Sequence, residues 1–425
     1  MEYFSSETAK GVEFCSYRTD RFKSSLITVS FLLPLDRKTA SYYSLLTNML
    51  SLATGKYRTM QSLAKIKDEL YDLSFDSYVR VRGETLLVTA DMSLLADSYA
   101  LNNEKILEKG MALLGDALFD PCLSPKGNFL DDQLESEKKC LVEEIDSIVE
   151  NRHAYSVKRT KELMCEGEPF SADAAGEKEK VLAITPSELT GYYKKCIYDA
   201  PVKIVYTGEE DPKKVLELVK KYLPFKDRQE KSFVSVKHEN KGKIRRFSEK
   251  MEGSQSIVVM GFSTLETKTP KEKAVLTVFD EIFGSSPQSR LFVNVREKKS
   301  LCYYCQSYVT ANKNVMLVSC GVSEKNGRKA EKAILHELEE MKKGKISEPE
   351  LINAKKSVIR SLDSIEGNLS ALNAYILNRA IIGDGKSLDD LKDDVMSVTQ
   401  DEISDFASGI DIDTVFVLSP EAKNE

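Results

Sequence analysis

Histidine is the scarcest chemically useful residue in this chain of 425 residues: there are three, His153, His238 and His336, and tryptophan is absent altogether. The histidines lie more than eighty residues apart, so no pair sits four residues apart on one helix face, as a helical zinc site of the H-E-x-x-H or H-x-x-E-H kind requires. The chain cannot build such a site alone. His336-Glu337, its nearest echo, lies in an amphipathic stretch with no second histidine and reads as a solvated helix position. Also missing are a G-x-x-x-x-G-K-[ST] loop, a G-x-G-x-x-G turn and a G-x-S-x-G elbow, which removes the main supports of nucleotide binding and serine hydrolysis. No long apolar run is present. The most apolar stretch, Ser25 to Leu35, is interrupted by Pro34 and ends at Asp36, far short of the ~20 residues of a spanning helix. The N-terminal Met1-Glu2-Tyr3-Phe4-Ser5-Ser6-Glu7 lacks the basic and apolar regions of a secretory signal, so a cytoplasmic protein without membrane contact is expected. Eight cysteines are scattered without a dense framework and read as reduced thiols. A basic stripe interleaved with aromatics is absent as well; Lys241 to Arg246 is short and balanced by Glu239 and Glu249, which argues against nucleic acid as a partner.

What is present is the balance of an ordinary globular protein, with 41% hydrophobic and 30% charged residues and a net charge of −6. Apolar periodicity divides the chain into two halves. In the first, Val12 to Tyr17 and Leu26 to Leu33 alternate as strands, and Ser41 to Leu52 and Met60 to Leu73 follow as amphipathic helices. Phe75 to Val81 and Glu84 to Met92 form a hairpin around Arg82-Gly83, then helices run from about Ser98 to Leu118 and from about Phe129 to Asn151. A strand at Val202 to Tyr206 ends this half. Periodicity then fails until Arg246, after which strand, helices, hairpin and helices recur. The expectation is α+β: two tandem, structurally similar domains at 1–223 and 247–425, joined by a linker at 224–246.

The most informative segment is Ser289-Arg290-Leu291-Phe292-Val293-Asn294-Val295-Arg296-Glu297-Lys298, running on to Cys302-Tyr303-Tyr304-Cys305. It resembles the second-domain signature of the pitrilysin/insulinase (inverzincin) peptidase family, a helix reading S-R-L-F-x-x-V-R-E-K that leads into a strand beginning with an aromatic hydroxyl. The resemblance implies that Arg296 and Tyr303 reach a bound peptide and its reacting carbonyl. A guanidinium suits a peptide carbonyl or carboxylate, and a phenol can donate to an oxyanion without adding charge. The C-x-x-C itself reads as neither redox pair nor metal site, because residues three apart on a regular strand point to opposite faces.

The first half departs from the family. Aligning the inverted zinc motif on the helix containing Asn48-Met49-Leu50 puts Ser44, Thr47 and Asn48 where the family has its two histidines and glutamate base. Glu137 and Glu144 fit the spacing of the family's downstream acids and share one helix face, so both are expected to line a chamber. A carboxylate with Ser, Thr and Asn does not meet zinc's preference for four close N, S or O donors, so no metal is expected in this chain. The resemblance thus implies a half-clamshell, metal-free companion subunit, inactive alone, that gives Arg296 and Tyr303 to a zinc-bearing sister acting on a peptide or unfolded polypeptide; in isolation it is a possible homodimer. The alternative expectation is an inactive scaffold or assembly protein that keeps only the peptidase shell.

Overall fold

In this computed structural model the described residues are 2–229, 236–383 and 385–421. Helix makes up 50% and strand 24%, in two sheets and no barrel, which is the α+β class expected from the order of elements. The first sheet has the spatial order β1 (Glu2–Ala9), β2 (Val12–Arg18), β6 (Val202–Gly208), β3 (Ser24–Pro34), β5 (Thr85–Leu95), β4 (Ser74–Arg82). The second has β7 (Arg245–Met251), β11 (Asp411–Pro420), β8 (Ser256–Ser263), β10 (Val315–Val322), β9 (Cys302–Thr310). Without β1 the two orders match strand for strand. In each, the last strand returns to lie parallel to the first (β6 on β2, β11 on β7) and antiparallel to the second (β3 or β8). The duplication is therefore visible in topology although the two halves share no obvious sequence.

Burial explains which strands the sequence announces. β3 is buried from Ser25 to Leu33 and β10 along its whole length, so both read as near-continuous apolar runs. β1 and β7 are edge strands. β7, Arg-Arg-Phe-Ser-Glu-Lys-Met, carries four charges, which leave no hydrophobic signal and discourage pairing with a further strand. Likewise the helix expected from Ser98 begins only at Ile106, because Asn102 and Asn103 take positive φ and break the preceding turns.

The compact units do not follow the linear order of the chain. One comprises Met1–Ile145, Ala172–Val234 and Ser364–Gly385; the other comprises Asp146–Ser171, Ser235–Asp363 and Lys386–Glu425. Each thus takes one helix from the other half. The helix Leu369–Ile382 covers β2, β3 and β6 of the first unit, where buried Asn373 places Oδ1 2.8 Å from Thr28 Oγ1 and donates to Leu26 O and Thr207 Oγ1 at 3.4 and 3.3 Å. The helix Arg152–Met164 covers β8 and β11 of the second, with Arg152 donating to Glu252 O and Gln255 O at 2.7 Å each.

Residues 224–246, expected to be a linker, are anchored at both ends; 230–235 fall outside the described residues. In the first unit Arg228 is buried and donates to Ala200 O and Ile197 O at 2.7 and 3.0 Å. In the second, the His238 side chain is fully buried, with Nδ1 2.6 Å from Glu168 Oε1 and Nε2 3.4 Å from Asp413 Oδ2. Lys313 and Arg245 hold the same two carboxylates, at 2.6 and 2.5 Å. Arg228, His238 and Arg245 thus tie the segment down, while Lys226, Asp227, Glu239, Lys241 and Lys243 are exposed.

A neutral imidazole has one N–H and would turn a lone pair toward one of these carboxylates. Burial opposes charging the ring, but its hydrogen bonds to Asp413, Cys165 and Glu168 outweigh that and push the His238 pKa from 6.5 up to about 10. The raised value means the group stabilises the fold fully below its unfolded pKa of about 6.5 and loses that contribution as pH rises through about 10. Thermal melts of wild type and His238→Gln across roughly pH 7 to 11 should show a stability difference that shrinks toward the alkaline end. A constant difference would mean that the ring is neutral.

Candidate functional site

The signature segment folds into a helix, Leu291–Lys298, whose C-terminal end is widened: Lys299 N donates to Asn294 O, five residues back, at 3.3 Å. Helical turns of this wide type are frequent at functional sites. Its polar residues divide into two sets. Arg290 is buried and donates from Nε and Nη2 to Glu350 at 2.8 and 3.1 Å, while Asn294 donates to buried Glu337 at 2.8 Å. These bonds fix the helix from behind. Arg296 faces outward instead, its side chain 37% exposed, stacked 4.4 Å over the Phe292 ring and 3.3 Å from Glu297. The chain then turns through Ser300, at φ 48°, into β9.

At the start of β9 the register shifts. Cys302 pairs with Val322 and Tyr304 with Gly321, so two steps on β9 match one on β10 and Tyr303 is the extra residue of a bulge. Tyr303 consequently projects from the sheet and is 63% exposed. Tyr304 turns to the opposite face, where its ring lies against Gly321; a Cβ at that glycine would meet the ring at 2.5 Å. There it packs edge-on to His153, with ring centroids 5.3 Å apart. The bulge also corrects the expectation for the C-x-x-C. Cys302 shares a side of the sheet with Val322, and hence with Cys320 and its cross-strand partner Cys305, so the two cysteines point the same way. A bulge leaves no mark in residue types, which is why regular alternation gave the opposite answer.

In the first unit, the helix Ala40–Leu52 carries the degenerate zinc-motif positions. Ser44 and Thr47 are buried, and the Thr47 hydroxyl donates back to Ser44 O at 2.7 Å. Asn48 hydrogen-bonds Glu137 of the helix Asp131–Glu150; burial raises the Glu137 pKa and the Asn48 amide opposes that rise. The structure thus brings Asn48 and Glu137 together, whereas Glu144, two turns along, is exposed. This donor set does not fit zinc: the Thr47 hydroxyl is spent on the backbone, the Asn48 amide faces the Glu137 carboxylate, and no imidazole or thiolate joins them on these two helices at the motif positions. Among the described residues a different group, Cys165, Glu168 and His238, brings three possible donor atoms within 4.8 Å of one another. Sequence reasoning missed it because His238 lies seventy residues beyond Glu168, in a separate segment. There Lys313 and the His238 imidazolium already supply positive charge to Glu168.

Residues 183–358, the stretch containing Arg296 and Tyr303, match the model of the Peptidase M16 inactive domain. The probable inactive metalloprotease YmfF of Bacillus subtilis strain 168 is 26% identical over 405 residues, covering 94% of each chain. The crystal structure of a conserved protein from Enterococcus faecalis V583 superposes with a TM-score of 0.93 at 25% identity, covering 100% of both chains. A Pseudomonas fluorescens structure described as a peptidase M16 inactive domain gives 0.82 at 14% identity over 100% of both, a likeness of fold. The chain is thus similar to M16 inactive-domain proteins, in sequence over residues 183–358 and in fold over its whole length. The matched stretch contains the S-R-L-F-x-x-V-R-E-K helix, and no described helix is long and apolar enough to cross a membrane.

The Asn48–Glu137 pair yields a direct test. Asn48→Asp would set two carboxylates against each other, costing about 1 kcal/mol at neutral pH. Repulsion raises the folded-state pKa values, so the loss should fade as pH falls below about 5. Urea titrations of wild type and variant at both pH values check this. Elemental analysis of dialysed protein should also find less than one zinc per chain, a content that Glu137→Gln leaves unchanged.

Proposed function

We propose that this chain is the non-zinc subunit of a pitrilysin-type heterodimeric metallopeptidase, giving Arg296 and Tyr303 to a zinc-bearing partner. The observation that carries this reading is the contrast between the two units. Where the family's zinc would sit, the Thr47 hydroxyl and the Asn48 amide are engaged internally. At the signature helix, by contrast, Arg290 and Asn294 are spent on positioning and Arg296 and Tyr303 are left outward. A shell kept only for packing has no use for a phenol raised on a bulge. In this reading the guanidinium anchors a peptide carbonyl or carboxylate and the phenol donates to the oxyanion that forms on the scissile carbonyl. The substrate is a peptide or an unfolded polypeptide, and the compartment is the cytoplasm.

The second reading, an inactive scaffold or assembly protein, is favoured by the loss of all three motif residues. Purification from native extract separates the two: a zinc-motif sister in equal amount supports the companion role. With that partner, Tyr303→Phe should lower kcat by about 10²-fold, as for loss of other oxyanion donors, with KM little changed. Arg296→Ala should instead raise KM, since it removes binding common to ground and transition states. If both variants assemble and the complex keeps full activity, the pair is structural and the scaffold reading stands.

A further inference from the structure

The helix Gly327–Lys342 packs on the second sheet over β8 and β10 and leaves the sheet open toward its β7 edge. A cleft of about 250 Å³ lies there, with Val258, Val415 and Val417 along it and β7 at its rim. Sites for drug-sized molecules begin near ~300 Å³, so an occupant of this cleft is small.

One end of the cleft is polar. Residues two apart on a strand share a face, so Ser256 stands beside Val258 on the side that lines the cleft. Ser256 is 3% exposed, and its hydroxyl is buried with no hydrogen-bond partner among the described residues. Such a group is costly to the fold and calls for a partner from outside it. The first turn of the helix closes the same end. A Cβ on Gly327 would lie 3.6 Å from Val258 Cγ2 and 3.9 Å from Val322 Cγ2, and Val322 pairs with Ser256 across the strands. The Asn326 side chain does not cap this 16-residue helix, so the N-terminal dipole there favours a negative group.

The charges on the walls are of both signs. Buried Glu331 accepts from Arg246 Nη1 at 3.0 Å and from Arg328 Nη1 at 3.3 Å, so one acid answers two guanidiniums. The Arg328 side chain is 73% exposed, and a guanidinium carries five N–H donors. Glu324, also exposed, supplies the opposite charge at the helix start.

We propose that this cleft binds a free α-amino acid with a branched aliphatic side chain. The carboxylate accepts from the Ser256 hydroxyl and the Arg328 guanidinium at the helix N-terminus, the ammonium meets Glu324, and the side chain lies on the three valines. A carboxylic acid without the ammonium would leave Glu324 facing a like charge, and an amine without the carboxylate would face Arg328. A zwitterion answers both. The site lies within one unit and needs no other chain, so it does not rest on the companion reading.

Equilibrium dialysis of the full chain against radiolabelled L-leucine tests the site. Leucine should bind saturably with Kd of about 1 mM or tighter. 4-Methylpentanoate and 3-methylbutylamine, each lacking one charge, should compete about tenfold less well than leucine, and glycine should compete least. Ser256→Ala and Arg328→Ala should each weaken leucine about tenfold, as for loss of one hydrogen bond to a charged group. Glu324→Gln should weaken leucine and leave 4-methylpentanoate no weaker. In thermal melts Ser256→Ala should unfold no earlier than wild type, because the hydroxyl has no partner in the fold; an earlier midpoint would assign it a structural bond and overturn its role. No saturable leucine binding up to about 10 mM, or binding that Ser256→Ala and Arg328→Ala leave unchanged, overturns the site. Competition by 4-methylpentanoate as strong as by leucine overturns the assignment to an amino acid.

Discussion

Strands β3 and β10 are buried along nearly their whole length, and this requires each sheet to be covered on both faces. The chain meets the requirement by exchange. Arg152–Met164 covers the second sheet and Leu369–Ile382 the first, so each unit is completed by a helix from the other half of the sequence. The bonds that seat these helices are unusually polar for a sheet face: Asn373 among Thr28, Leu26 and Thr207, and Arg152 on the carbonyls of Glu252 and Gln255. A buried amide such as that of Asn373 is costly unless it finds partners, so such contacts select one seating of the helix over its neighbours. Apolar packing alone would tolerate a slide along the sheet.

How much of this is legible in the sequence follows from the same physics. Central strands such as β3 and β10 carry continuous apolar runs, and in the structure Thr185 and Glu188 close a reciprocal box at the start of the helix Pro186–Lys194. Edge strands β1 and β7 are silent because half of their surface faces water. Helix exchange is silent for another reason: periodicity shows that a helix has an apolar face but not which sheet that face meets. The segment 224–246 is silent in a third way. Arg228, His238 and Arg245 look solvated by residue type, yet each is held by carbonyls or carboxylates that come from distant parts of the chain.

The candidate site divides along similar lines. The S-R-L-F-x-x-V-R-E-K pattern was readable, and so was the loss of the zinc motif, because both are matters of residue identity. Their physical roles were not. Only the geometry separates Arg290, tied to Glu350, from Arg296, six residues on and outward-facing. In the same way Glu137 and Glu144 are equivalent by spacing, yet one is held by Asn48 and the other is exposed.

The bulge at Tyr303 ties these threads together, because one inserted residue has two consequences at once. It lifts a phenol clear of the sheet and it moves Cys302 to the side occupied by Cys305 and Cys320, while Tyr304 keeps its regular place opposite Gly321 and against His153. On a regular strand Tyr303 would share a side with Cys305 and Ser307, whose side chains are buried, and its phenol would need a partner inside the core. The bulge removes that demand. One residue further along β9 the strand is regular again, and there Gly321 leaves room for the Tyr304 ring, which an added Cβ would meet at 2.5 Å, so the glycine on β10 fixes how the residue after the phenol packs.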